Sequence, residues 1–176
     1  MKRALISGLT GQIGSFLAEH LLANDYDVYG LIRRCSFNNT GRIEHLLNHI
    51  TLISGDLSDQ TSLDGAIEEV KPDEIYHLGA MSFVPDSWVQ PELTANITGL
   101  GTLRLLEATK KYKPDAKILS SCSSEQFGRV TETPQKETTR FYPRSPYGVA
   151  KVFSYEMTRV YRESFDMFAC SSICYN

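Results

Sequence analysis

Tyr147 and Lys151 stand four positions apart in a segment whose apolar residues recur with helical spacing, so both side chains are expected on one helix face. A lysine ammonium beside a phenol lowers the pKa of the tyrosine, which could then accept a hydroxyl proton while a hydride leaves the carbon. The alternative is an ordinary surface helix. Because the pair follows a serine-rich strand end over 120–125, where open α/β sheets bind ligands, we favour the catalytic interpretation.

Ser123 and Glu125 lie at that predicted strand end. The serine hydroxyl could hydrogen-bond a reacting oxygen, or it could simply satisfy the end of the strand. A carboxyl group beside such a set could remove a carbon-bound proton next to a new ketone and pass it to a leaving hydroxyl, which a plain dehydrogenation does not need. The role of Glu125 therefore distinguishes a dehydratase from a simple oxidoreductase. The alternative is that Glu125 is a solvated loop carboxylate or a cap.

Three glycines fall between the first predicted strand and the first predicted helix, in the run Gly8-Leu9-Thr10-Gly11-Gln12-Ile13-Gly14. Glycines at such a turn let backbone N–H groups approach a pyrophosphate at the N-terminus of the helix. A tight turn without a ligand is the alternative. The strand and helix on either side favour a dinucleotide site, and the G-x-x-G-x-x-G spacing favours the short-chain dehydrogenase variant of the fold.

Arg33 and Arg34 follow the second predicted strand, about 20 residues after the last of these glycines, where NAD sites usually place an acidic residue against the ribose. Two guanidinium groups with no nearby carboxylate suit a 2′-phosphate, which predicts NADP rather than NAD; a solvated basic loop is the alternative. Asp56 and Leu57 follow the third predicted strand and could meet an adenine, although an Asx turn explains the aspartate almost as well.

The composition excludes several classes of protein. The chain has 176 residues, of which 41% are hydrophobic and 22% charged, and its formal net charge is −3, so a disordered chain is excluded and nucleic acid is not expected as the main partner. No apolar run approaches the roughly 20 residues of a membrane span or fits a signal peptide, so we expect a cytosolic protein. The cysteines and histidines show no metal-ligand spacing, and His77 is expected to be a core histidine with a backbone partner.

Short β-branched runs alternate with longer segments of helical spacing, which predicts an α/β fold: a Rossmann-like, doubly wound parallel sheet of about six strands in one domain, 1–176. The predicted strands are 4–7, 27–32, 50–54, 74–78, 116–121 and 167–174. The predicted helices are 12–24, 42–48, 62–70, 91–112 and 146–165. Because the sequence stops at a strand where such a fold normally continues, we expect a truncated chain.

With these residues in place, the chain resembles the extended short-chain dehydrogenases/reductases, and among them the GDP-mannose 4,6-dehydratase family. The resemblance covers nearly all 176 residues, which would form the amino-terminal half of such an enzyme without its carboxyl-terminal substrate domain. The stretches that carry it are Gly8–Gln12, Gly30–Arg34, Phe37–Ile43, Gly99–Leu106, Pro134–Thr138 and Phe141–Tyr147.

The resemblance implies a catalytic set of Ser123, Glu125, Tyr147 and Lys151. It implies that NADP is bound by Gly8–Ile13, Arg33, Asp56, Leu57, Leu78, Gly79, Ala80 and Ser82, with Tyr147 and Lys151 near the nicotinamide. The implied reaction oxidises the sugar at C4, loses water across C5 and C6, and returns the hydride to C6. A homo-oligomer, dimer or tetramer, with the loop 33–42 at an interface, is implied as well. A 4-keto-sugar reductase or epimerase, or a non-catalytic dinucleotide-binding chain, are the alternatives.

Overall fold

Six parallel strands form a sheet in the computed structural model, which describes residues 1–37 and 39–175. The strands are β1 (Lys2–Ser7), β2 (Tyr26–Ile32), β3 (Thr51–Ser54), β4 (Glu74–His77), β5 (Lys117–Ser123) and β6 (Ala169–Cys174). Their order across the sheet is β3-β2-β1-β4-β5-β6. Because the chain changes direction across the sheet between β1 and β4, a crevice forms at the carboxyl ends of these two strands.

Helices connect the strands and cover both faces of the sheet. They are α1 (Gln12–Leu22), α2 (Gln60–Val70), α3 (Val84–Val89), α4 (Pro91–Thr94), α5 (Gly101–Tyr112) and α6 (Pro146–Phe165). A π-helical segment, Ala95–Leu100, joins α4 to α5, and 3₁₀ turns occur at Gly41–Leu46 and Ser124–Gln126. The Ser145 side chain begins α6 by accepting a hydrogen bond from the Gly148 N–H, with Pro146 in the first turn.

Apolar clusters lie on the two faces of the sheet, because its strands carry apolar residues on both sides. One cluster includes side chains of α2, α5 and α6, such as Ile67, Leu105 and Tyr161. The other includes side chains of α1 and of the turn 41–46, such as Ala18 and Ile43. Packing on both faces holds the carboxyl ends of the central strands in a fixed arrangement, and the candidate site is built on those ends.

The predicted α/β fold and its parallel six-stranded sheet are confirmed, with strand bounds within two residues of the prediction. The helix α6 has the predicted bounds, and the stretch 91–112 is helical but includes the π segment. The segment 42–48 forms a shorter 3₁₀ turn, and α3 was not predicted. No helix in the described part of the chain combines the length and apolar character that crossing a membrane requires.

Candidate active site

The glycine turn between β1 and α1 packs tightly against the segment that follows β4. Gly8 has a φ of +76°, which residues with side chains rarely adopt, and a Cβ built on it would lie 2.8 Å from the Gly79 nitrogen. The Gly11 N–H donates to the Gly8 carbonyl at 3.0 Å. Since Gly11 is the N-cap of α1 and makes no side-chain cap, the first N–H groups of this helix are available to an anion.

A cavity of about 610 Å³ lies at the carboxyl ends of β1, β2 and β4, within the size range of cofactor sites. Most of the residues predicted to bind a cofactor line it: Gly8, Thr10, Gly11, Arg33, Arg34, Asp56, Leu57, Leu78, Gly79, Ala80 and Ser82. The other residues predicted at the cofactor do not line it. Gln12 and Ile13 are exposed at the start of α1, Leu9 and Gly14 are buried, and Tyr147 and Lys151 belong to α6.

Several cavity residues were not identified as cofactor residues from the sequence: Cys35, Phe37, Asn39, Thr40 and Ile97. The Asn39 side chain donates to the Thr10 hydroxyl at 3.1 Å, so the loop after β2 reaches the glycine turn. Ile97 belongs to the π-helical segment, whose approach to the cavity no sequence pattern indicates. For these loop residues, the available signals were their place directly after the two arginines and, from Phe37 onwards, the stretch that carries the family resemblance.

Asp56 is held as an anion at the β3 side of the cavity. The Ser58 hydroxyl and N–H donate to its Oδ1 at 2.7 Å and 2.8 Å, and these bonds, with the nearby Arg33 guanidinium adding to them, lower the pKa of the carboxyl. The aspartate therefore forms the Asx turn that the sequence allowed as an alternative. The same turn fixes the orientation of Asp56 towards the cavity that it lines.

Tyr147 and Lys151 lie one turn apart on α6, and only 7% and 5% of their surfaces are exposed. The Lys151 Nζ donates to the Ser121 carbonyl at 2.5 Å and lies 5.8 Å from the centre of the Tyr147 ring. The two side chains thus share a helix face, as their spacing predicts, and this face packs against the carboxyl end of β5.

Burial dominates the acidity of the Tyr147 phenol. Desolvation raises its pKa, and a hydrogen bond with the Ser123 hydroxyl acts in the opposite direction. Burial also lowers the pKa of Lys151, because its ammonium is removed from water. The expectation that Lys151 lowers the pKa of Tyr147 is wrong for this arrangement: the ammonium binds the Ser121 carbonyl, and desolvation of the phenol prevails.

Ser123 and Glu125 belong to a capping box at the end of β5. The Ser123 hydroxyl accepts a hydrogen bond from the Glu125 N–H at 3.2 Å, and the Gln126 side-chain oxygen accepts one from the Ser123 N–H at 3.0 Å. Because the Ser123 oxygen is an acceptor in this bond, its own proton is available to the Tyr147 oxygen. Gln126 is fully buried, and its part in this cap was not predicted from the sequence.

The cavity and the tyrosine set are distinct, since none of the four predicted catalytic residues lines the cavity. Met81 in the cavity wall donates its N–H to the Thr98 hydroxyl at 3.1 Å, and the Thr98 carbonyl accepts a hydrogen bond from Ser154 of α6 at 2.8 Å. The two predicted groups therefore lie at the same edge of the sheet, and hydrogen bonds through the π segment connect them.

This strand order, with a glycine turn where it reverses, defines a Rossmann fold, the doubly wound class of open α/β sheets. The UDP-Glc/GlcNAc 4-epimerase of Campylobacter jejuni superposes with a TM-score of 0.88 at 26% identity, covering 98% of this chain and 52% of that chain. The UDP-glucose 4-epimerase of Thermus thermophilus, solved in complex with NAD, gives a TM-score of 0.83 at 28% identity and covers 94% and 52%.

Within this class, the family model described as GDP-mannose 4,6 dehydratase matches residues 5–176, and the chain belongs to that family. The GDP-mannose 4,6-dehydratase of Vibrio cholerae is 50% identical over 99% of this chain and 50% of its own length. The GDP-mannose 4,6 dehydratase of Homo sapiens is 49% identical over 98% and 49%. The chain thus spans about half the length of the curated relatives that it matches.

Proposed function

We propose that residues 1–176 are the NADP-binding domain of a GDP-mannose 4,6-dehydratase, a lyase that converts GDP-mannose to GDP-4-keto-6-deoxymannose. The observation that carries this proposal is the grouping of Ser123, Glu125, Tyr147 and Lys151 beside a glycine-turn cavity, in a chain of that family. The relatives described as GDP-mannose 4,6-dehydratases support the reaction, and NAD in the Thermus thermophilus neighbour supports a nicotinamide cofactor.

NADP suits the chemistry of the cavity walls. The uncapped N-terminus of α1 after Gly8 would take the pyrophosphate, and Arg33 and Arg34 would hold the 2′-phosphate. Leu57 would pack on the adenine, and Asp56 would meet its edge. When bound, NADP supplies hydride chemistry, accepting a hydride from one carbon and returning it to another.

Each member of the tyrosine set has a role in moving protons. Tyr147 would accept the proton of the sugar O4 hydroxyl, with the Ser123 hydroxyl favouring the phenolate against the desolvation that raises the pKa of Tyr147, and with Lys151 one helical turn away on the same face. The ketone at C4 acidifies the C5 hydrogen. Glu125 would then take that proton and give it to the departing C6 hydroxyl, so that water leaves and a C5–C6 double bond forms.

A 4-keto-sugar reductase or an epimerase is the second candidate, because both solved neighbours described above are 4-epimerases. Tyr147 and Lys151 would serve all of these reactions, whereas Glu125 is needed for the loss of water. A non-catalytic dinucleotide-binding chain is the remaining candidate, because none of the four predicted catalytic residues lines the cavity.

We also infer a cytosolic homo-oligomer, a dimer or tetramer, with the loop 33–42 at a subunit interface; within this loop Asn38 lies outside the described residues. Phe37 supports the interface because 65% of this large apolar side chain is exposed. The partners proposed are thus a second copy of the chain and a nucleotide sugar, with no nucleic acid or membrane. A concentration series in analytical ultracentrifugation, with Phe37→Ser for comparison, tests the interface.

The purified chain tests the proposed function, alone and with a polypeptide that supplies the other half of a relative's length. NADPH is expected to bind at least about tenfold more tightly than NADH, since hydrogen bonds to a charged group contribute about 1.5–3 kcal/mol each. GDP-mannose should give a 4-keto product with the second polypeptide present. Glu125→Gln should stop water loss and spare ketone reduction, and Glu137→Gln, at an exposed loop position, is the matched control.

NADPH binding without product in either arrangement would leave the non-catalytic alternative. A chain that binds neither nucleotide would contradict the proposal. A 4-keto product that persists in Glu125→Gln would contradict the assigned role of that carboxylate.

A further inference from the structure

A chain of buried polar side chains crosses the core between β1 and α6. Ser7, His77, Thr102 and Ser154 are each at most 3% exposed. The Ser7 hydroxyl lies 2.7 Å from His77 Nδ1, and His77 Nε2 lies 3.0 Å from the Thr102 hydroxyl. The Thr102 hydroxyl in turn lies 3.0 Å from the Ser154 hydroxyl. His77 is thus buried, as expected, but its partners are side chains of distant elements rather than the backbone.

The hydrogen bonds within this chain of polar side chains are consistent with one arrangement of donors and acceptors. The Gly79 N–H donates to the Ser7 oxygen at 3.1 Å, so the Ser7 proton remains to be donated, and His77 Nδ1 accepts it. His77 must then carry its proton on Nε2 and donate it to Thr102, whose hydroxyl donates to Ser154 or to the Thr98 carbonyl. Burial lowers the pKa of His77 to about 3, which keeps the ring neutral and preserves this direction.

The two ends of this chain of polar side chains contact the cavity wall and the helix α6, which are proposed to act on the cofactor and the substrate. At one end, Ser7 and Gly79 line the cavity, and Gly79 is the residue against which the Gly8 turn packs. At the other end, the Ser154 hydroxyl lies 3.0 Å from the Ala150 carbonyl, one residue before Lys151 in α6. A single imidazole thus lies between the cavity wall and the helix that carries the tyrosine set.

We propose that His77 is a positioning residue, whose Nε2–H tautomer holds the Ser7–Gly79 wall of the cavity at a fixed spacing from α6. The importance of this spacing rests on the proposed function, but the coupling itself does not. Ser7 and Thr102 are joined through the His77 ring, so loss of His77 separates these two hydroxyls, while the Met81–Thr98 and Thr98–Ser154 bonds described above remain. A phenyl ring at this position would leave two buried hydroxyls without their partner, and glutamine would replace only the bond to Thr102.

Nitrogen-15 NMR of the imidazole and amide hydrogen exchange test the proposal without any nucleotide. We expect His77 to give a protonated Nε2 and an unprotonated Nδ1 at pH 7 and at pH 5. His77→Gln and His77→Phe should speed exchange of the Gly79 amide by at least tenfold. His20→Gln, at an exposed position on α1, is the control and should leave this exchange unchanged.

Coupling between the ends is tested by Ser7→Ala and Thr102→Val, alone and together. With His77 present, Thr102→Val should also speed exchange at Gly79, although Thr102 does not contact Gly79. In the His77→Gln background this effect should disappear. An Nδ1–H tautomer, or a Gly79 amide that exchanges at the same rate in His77→Gln as in the wild type, would overturn the proposal.

Titration with NADPH separates this result from the proposed function. If coupling is observed and NADPH does not bind, the positioning role stands and the proposed function fails. If NADPH binds equally well to wild type and His77→Gln and the Gly79 exchange rates agree, the positioning role fails and the proposed function stands.

Discussion

Replacement of Gly14 by alanine tests the packing of the glycine turn. The new Cβ would lie 2.3 Å from the Gly8 carbonyl oxygen and 2.8 Å from the Leu9 Cα, distances that real Cβ atoms do not show. Because these contacts are backbone atoms, no side chain can rotate away to relieve them. Overpacking of this kind costs about 1–3 kcal/mol. At about 2–4 °C per kcal/mol for a chain of this size, Gly14→Ala should lower Tm by about 2–12 °C.

Gly65 provides a matched control, because it is an exposed glycine inside α2 whose added Cβ would meet nothing within 4 Å. Gly65→Ala should raise the free energy of unfolding by about 0.5–1 kcal/mol, since alanine has the higher helix propensity. Thermal unfolding, monitored by circular dichroism, measures the Tm of both variants. Titration with NADPH measures whether the glycine turn keeps its affinity for the nucleotide. If Gly14→Ala kept both the Tm and the NADPH affinity of the wild type, the tight packing of the turn would be refuted.

Three further predictions concern charge and capping. The unfolded His77 binds a proton near pH 6.5 and the folded one only near pH 3, so between these pH values His77 should lower the stability by about 1.4 kcal/mol per pH unit as the pH drops; urea unfolding at several pH values should show a fall that is steeper by this amount in wild type than in His77→Gln. Gln126→Leu removes the acceptor of the Ser123 N–H and should cost about 0.5–2 kcal/mol in urea unfolding, whereas Gln126→Glu, which keeps an acceptor, should restore exchange protection of the Ser123 amide. Arg33→Ala with Arg34→Ala should reduce the NADPH-to-NADH affinity ratio by about tenfold or more in nucleotide titrations, and an unchanged ratio would count against the 2′-phosphate assignment.

The sequence predicts the strands and α6 well, because their signals are local. The strands are short apolar runs between turns, and α6 has a cap and a first-turn proline in Ser145 and Pro146. The helix α3 has six residues, too few for a periodic pattern to emerge. The π segment depends on packing: a Cβ on Gly99 would lie 3.4 Å from Phe153 and 3.7 Å from Ala150, so the close approach of α6 accompanies the altered helical pitch.

In the candidate site too, features set by neighbouring residues in the sequence could be predicted, and features set by tertiary contacts could not. The four-residue spacing correctly predicts a common helix face for Tyr147 and Lys151, but not the burial that raises the pKa of the phenol. The partners of His77 could not be predicted, since Ser7 and Thr102 come from other elements and carry no pattern of their own. Residues that act through contacts across the core become visible only when the fold is known.

The central position of β1 has a consequence for how the chain folds. Ala4 pairs with Val28 on one side and with Glu74 on the other, so one pairing closes a short segment and the other a segment nearly three times as long. The longer closure costs about 1 kcal/mol more in chain entropy. We therefore expect the β1–β2 unit to form first on the ribosome and to await the arrival of β4, with an unpaired strand edge exposed to chaperones in the interval.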